Sequence, residues 1–114
     1  MKFMLLIMNG DRNNPFPVEP DYPGIFAHFQ RLTTELQAQG KFLHSARLRP
    51  DAEAKVVRVK GDKSCTVTDG PFSETKELVG GYFMIECASE AEAIEWAKKF
   101  PPSFTVEARQ VWEM

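Results

Sequence analysis

The chain has 114 residues, 43% of them hydrophobic, and a formal net charge of −2. That length sets one domain, able to bury roughly two thirds of the surface its unfolded chain exposes without disulfide or metal staples. Acids and bases are interspersed, which leaves no basic stripe for nucleic acid and no like-charged tail, and no run approaches the ~20 apolar residues of a membrane span.

Residues 3–8 are apolar at every position, the pattern of a strand covered on both faces. Lys2 ahead of that run imitates a signal peptide, but the run is short and Asn9-Gly10-Asp11-Arg12 offers no small-residue cleavage site. Residues 9–23 are polar and carry Pro15, Pro17, Pro20 and Pro23, so they read as a loop long enough to serve as a lid. From 24 to 39 the spacing turns helical: Ile25, Phe29, Leu32 and Leu36 recur along one face, and Gly40 ends the helix. His28 lies on the flank of that stripe. Residues 42–48 form a strand with Phe42, His44 and Ala46 on one face and Leu43, Ser45 and Arg47 on the other.

Residues 54–60 and 64–68 read as a hairpin around Gly61-Asp62-Lys63. Residues 82–87 are again apolar on both faces apart from Glu86. Ser89 and Glu92 have the spacing of a capping box that opens a helix, whose buried stripe is Ala93, Ala97 and Phe100 and whose stop is Pro101-Pro102. The last strand, 105–112, points Val106, Ala108 and Trp112 one way and Glu107, Arg109 and Val111 the other. Cys65 and Cys87, the two cysteines, fall in strand-like runs and read as buried free thiols in a reducing cytoplasm.

The order β-α-β, hairpin, β-α-β predicts an α+β domain: a ferredoxin-like split unit with an inserted β-hairpin. In that topology the two doubly apolar strands are central neighbours. Two helices cover one face of the sheet, so the other face is left apolar, and a homodimer packed face to face would bury it.

The most specific stretch is Asp69-Gly70-Pro71-Phe72-Ser73-Glu74-Thr75-Lys76-Glu77, followed by Gly80-Gly81-Tyr82. It is longer than a hairpin connection requires. Gly70 is free to take φ > 0, and Pro71 biases Gly70 away from the α region. Phe72 clamps the loop by burial, and Asp69 has a carboxylate suited to nearby backbone N–H groups. These residues resemble the signature of the DGPF family, a branch of the YCII-related proteins. The resemblance covers nearly the whole chain, including residues 1–10, 56–58 and Val106-Glu107-Ala108-Arg109, with Ala108 and Gln110 departing from the usual valine and proline. It implies a single YCII-related (DGPF) domain over 1–114 in a dimeric α/β-barrel arrangement. The wider group implies His–Asp chemistry, and the gene neighbourhoods of such proteins imply an extracytoplasmic-function sigma factor as partner.

The candidate site residues follow from these placements. Asp69 is a base or the orienter of a histidine, against the plain alternative of a turn residue. His28 is a proton shuttle, against that of a half-buried histidine beside an apolar stripe. Arg109 is the anchor for an anionic ligand if its face lines the dimer cleft. Phe72 and Trp112 are apolar walls, and Lys76 pairs with Asp69 or Glu107 or meets the ligand. His28 with His44 lacks metal-ligand spacing, so no metal is expected. Gly61-Asp62-Lys63-Ser64 lacks the first glycine of a phosphate loop, and no cofactor motif appears. Two functions stay open: a small-molecule protein, lyase- or hydrolase-type, with its site between sheet and partner, and a non-catalytic regulatory module.

Overall fold

A computed structural model describes residues 1–8, 22–49, 53–70, 79–102 and 104–113. The elements run β1 (Lys2–Met8), α1 (Tyr22–Ala38), β2 (Phe42–Arg47), β3 (Lys55–Val59), β4 (Cys65–Asp69), β5 (Val79–Glu86), α2 (Glu90–Ala97) and β6 (Thr105–Gln110). The main sheet is antiparallel with the order β2-β5-β1-β6, and β3 and β4 form a separate two-stranded sheet. The protein is therefore α+β, compatible with a ferredoxin-like unit, and the two strands read as apolar on both faces are the central pair.

The alternation along β1 shows what covers each face. Phe3, Leu5 and Ile7 are buried while Met4, Leu6 and Met8 are only half covered. On β5, Phe83, Ile85 and the following Cys87 are buried, and Tyr82, Met84 and Glu86 are half covered. The buried set joins Leu32 and Leu36 of α1 with Ala93, Trp96 and Phe100 from α2 and its exit in one core. Both helices thus lie on the same face of the sheet. Phe83 is the hub, with ring centroids 5.9 Å from Phe29, 6.2 Å from Phe42 and 5.3 Å from Phe100.

Helix α1 ends as its sequence demands. Gly40 has φ 69°, its N–H donates to the Gln37 carbonyl at 3.0 Å, and the Lys41 N–H donates to the Leu36 carbonyl at 2.9 Å. That is the Schellman pair of bonds, which satisfies carbonyls the helix end would otherwise leave orphaned. At the start of α2, Ser89 Oγ accepts the Glu92 N–H at 3.2 Å. Glu92 does not return the bond to Ser89 as a full capping box would. Its carboxylate takes the Lys41 ammonium at 3.1 and 3.2 Å, so α2 is tied to the end of α1 instead.

Two sequence expectations need correcting. Phe42 and His44 do not share a face: the register slips between them, so Phe42 pairs with Ile85 on the helix side while His44 pairs with Met84 on the open side. A bulge inserts one residue and resets the alternation. The last strand closes at Gln110, and Trp112 lies beyond it, 85% exposed.

Gly81 of β5 is set by a neighbour. A Cβ there would stand 2.8 Å from the Ala46 carbonyl oxygen of β2. Backbone cannot retreat as a side-chain tip can, so Gly81→Ala should lower stability by about 1–3 kcal/mol through displacement of β2. Urea denaturation followed by circular dichroism measures it, and an unchanged midpoint would show that β2 gives way freely.

Candidate functional site

Cross-strand pairing lays out the open face residue by residue, because directly paired residues point to the same side. One row crosses the sheet as His44 (β2), Met84 (β5), Met4 (β1) and Arg109 (β6). The next row is Ala46, Tyr82, Leu6 and Glu107. The centre of these two rows is therefore apolar, with a polar group at each edge, and Lys2 with Glu86 follows on the two central strands.

At the β6 edge, the Arg109 guanidinium stands 3.9 Å from the Glu107 carboxylate, beyond hydrogen-bond reach. Both are largely exposed, and such a pair contributes little. At the β2 edge, the Tyr82 hydroxyl and His44 Nδ1 are 2.7 Å apart, with the rings tilted against each other at 5.6 Å between centroids. Sequence reasoning missed this pair. It had Tyr82 inside an apolar run and His44 on one face with Phe42, and no local signal marks the bulge that separates those two.

The sequence-predicted pair His28 and Asp69 are not bonded to one another. His28 Nε2–H donates to the Lys99 carbonyl at 2.7 Å, fastening α1 to the residues just after α2. Asp69 ends β4, opposite Lys55 of β3, and its carboxylate takes the Lys55 ammonium. That hydrogen bond and charge hold the Asp69 carboxyl below its ordinary range. Asp69 is fully in solvent, so the pairing organises the base of the hairpin without much stabilising it. Gly70, next along, has φ 81° and donates its N–H to the Ala54 carbonyl at 2.7 Å. Among the described residues nothing lies within 4 Å of where a Cβ would stand, so the positive φ is the need that this glycine answers. Phe72 and Lys76 lie outside the described residues.

The hairpin carries its own unpartnered face. Val57 pairs with Val67 and Val59 with Cys65, on the same side as Lys55 and Asp69. Val57, Val59 and Val67 are all exposed, Val59 at 70%. A two-stranded ribbon is marginal alone, so this valine face asks for a cover.

The two thiols, expected alike, differ. Cys65 is exposed and Cys87 buried, both free. Burial pushes the Cys87 thiol up to about 12, helped by its hydrogen bond to the Glu92 carboxylate. At pH 8, iodoacetamide should therefore alkylate Cys65 in the native protein and reach Cys87 only after unfolding, as mass spectrometry of the two peptides would show. Because the folded value is the higher one, the stability Cys87 contributes is complete below its unfolded pKa of 9.0 and is lost as pH climbs toward 12.

Among the described residues no group of three His, Cys, Asp or Glu side chains could hold a metal. Among them, too, no helix is long and apolar enough to cross a membrane.

Similarity to known proteins agrees with this architecture. An uncharacterised protein of Rhizobium meliloti (strain 1021) is 42% identical over 59 residues, a stretch that makes up 52% of this chain and 47% of that protein. The chain thus matches about half the length of this relative. The model of the YCII-related domain matches residues 1–114, end to end, and the chain belongs to the YCII-related family.

Proposed function

We propose that the protein works as a face-to-face homodimer that binds a small anionic molecule between its open sheet faces, with Arg109 as the anchor. The observation that carries this reading is the row His44, Met84, Met4, Arg109, which sets one cation beside an apolar floor. A sheet face alone supplies a floor, and a second copy supplies the opposing wall. Arg109 offers a planar fork of donors suited to a carboxylate or phosphate. The dimer is of the α/β-barrel kind that a ferredoxin-like unit builds through its open face.

Binding is better supported than His28–Asp69 catalysis. His28 Nε2 is engaged by the Lys99 carbonyl and the Asp69 carboxylate by Lys55, and the two side chains are not bonded to each other. A second reading, a regulatory module docking a protein such as a sigma factor, draws support from the exposed valines of the hairpin. Sedimentation velocity at micromolar concentration separates the two. The binding reading expects a stable dimer, and a monomer with its open face in water would leave the module.

A further inference from the structure

The pair at the far edge of the open face has no part in anchoring an anion, and its geometry suggests another role. We propose that His44 and Tyr82 form a second pole of the binding site, so that the ligand is an elongated hydroxy acid. Its carboxylate meets Arg109, its apolar body lies over Met4 and Met84, and its distal hydroxyl meets the His44–Tyr82 pair. This inference rests on the proposed anion site at Arg109.

The hydroxyl follows from the proton count of the pair. If the Tyr82 hydroxyl donates to His44 Nδ1, then Nε2–H is left to donate and the phenol oxygen to accept. If Nδ1–H donates to Tyr82 instead, the phenol O–H is left to donate and Nε2 to accept. Either way the pair keeps one donor and one acceptor, one on the far side of the imidazole and one on the phenol. Among the described residues neither group has a further partner, and a ligand hydroxyl, able to donate or to accept, complements either one while the other holds it in place.

Length follows from the sheet. His44 and Arg109 stand on its two outer strands, about 14 Å apart at the backbone from three strand spacings. The long Arg109 side chain closes part of that distance, which leaves room for an acid of cinnamate size. Charge fits as well. The other acid beside the apolar floor, Glu86, is held by the Met1 amino group at 2.9 Å. Glu107 remains beside Arg109 and disfavours a second negative charge at that end, which limits the ligand to a single carboxylate there.

The test uses three probes on the intact protein, with binding read by isothermal titration calorimetry: 4-hydroxycinnamate, cinnamate and 4-vinylphenol. The native protein should prefer 4-hydroxycinnamate to cinnamate by roughly five- to tenfold, the scale of one net hydrogen bond. It should bind 4-vinylphenol, which has no carboxylate, more weakly than either. Tyr82→Phe and His44→Leu should each abolish the preference and leave cinnamate affinity in place. Arg109→Gln should weaken both acids and keep the preference. Circular dichroism and sedimentation of each variant establish that fold and assembly are retained. Equal affinity for the two acids in the native protein, or a preference that survives both pole substitutions, overturns the second pole while Arg109-dependent binding of cinnamate keeps the anion site. Absence of any Arg109-dependent binding overturns both.

Discussion

Phe83→Ala should lower the free energy of unfolding by about 3–5 kcal/mol, the cost of emptying a fully packed aromatic site. The side chain is buried on the helix side of β5 and stands in ring contact with Phe29, Phe42 and Phe100. Those rings come from α1, β2 and the exit of α2, so no single element can collapse into the space. Phe29 has further neighbours in Phe100 and Phe104, each at 5.7 Å, and is held in place by them. A loss of that size is a large fraction of the ~5–15 kcal/mol that stabilises a domain of this kind. Urea denaturation monitored by tryptophan fluorescence is the measurement, since Trp96 lies in the same core. A change under 1 kcal/mol would mean that the aromatic cluster repacks around the gap.

Leu6→Glu should dissociate the proposed dimer while leaving each chain folded. Leu6 lies on the open face between Tyr82 and Glu107 and is half covered within one chain. A carboxylate there costs the single chain little. In a face-to-face dimer it would be taken out of water beside Glu107, and burying a charge without a dedicated partner costs about 3–5 kcal/mol. The dimer dissociation constant should rise at least a hundredfold, or about 2.7 kcal/mol. Sedimentation equilibrium reads it directly, and an unchanged constant would place the interface on another surface.

The parts of the fold most legible in the sequence were those where one physical cause acts alone. Runs apolar on both faces, broken only by Glu86 in β5, mark β1 and β5 as central strands, and their pairing follows. Gly40 and Ser89 mark helix ends because the orphan backbone groups there accept few solutions. What stayed hidden depended on a second segment. Phe42 packs with Phe83 only because a bulge turns β2 between residues 42 and 44, and nothing in Phe42-Leu43-His44 announces it. In α2 the sequence stripe of Ala93, Ala97 and Phe100 leaves out Trp96, which is buried in the core while Ala97 is only partly covered. Asp69 takes the ammonium of Lys55, fourteen residues back across the hairpin, a partner that local sequence does not suggest. Arg109 is nameable as a candidate anchor from its strand position alone, whereas the His44–Tyr82 contact needed the three-dimensional register.

The position of β1 also governs how the protein is born. Leu5 pairs with Phe83 on one side and Ala108 on the other, so both neighbours of the central strand leave the ribosome long after it does. At ~5–20 residues per second, the stretch from β1 to β5 takes several seconds to synthesise. Throughout that interval a strand apolar on both sides has neither edge paired. Such a segment pairs with whatever strand reaches it first, including the same segment on a neighbouring nascent chain. Yield in cells should therefore depend on translation speed and on chaperone holding of the N-terminal strand, more than on the stability of the finished sheet.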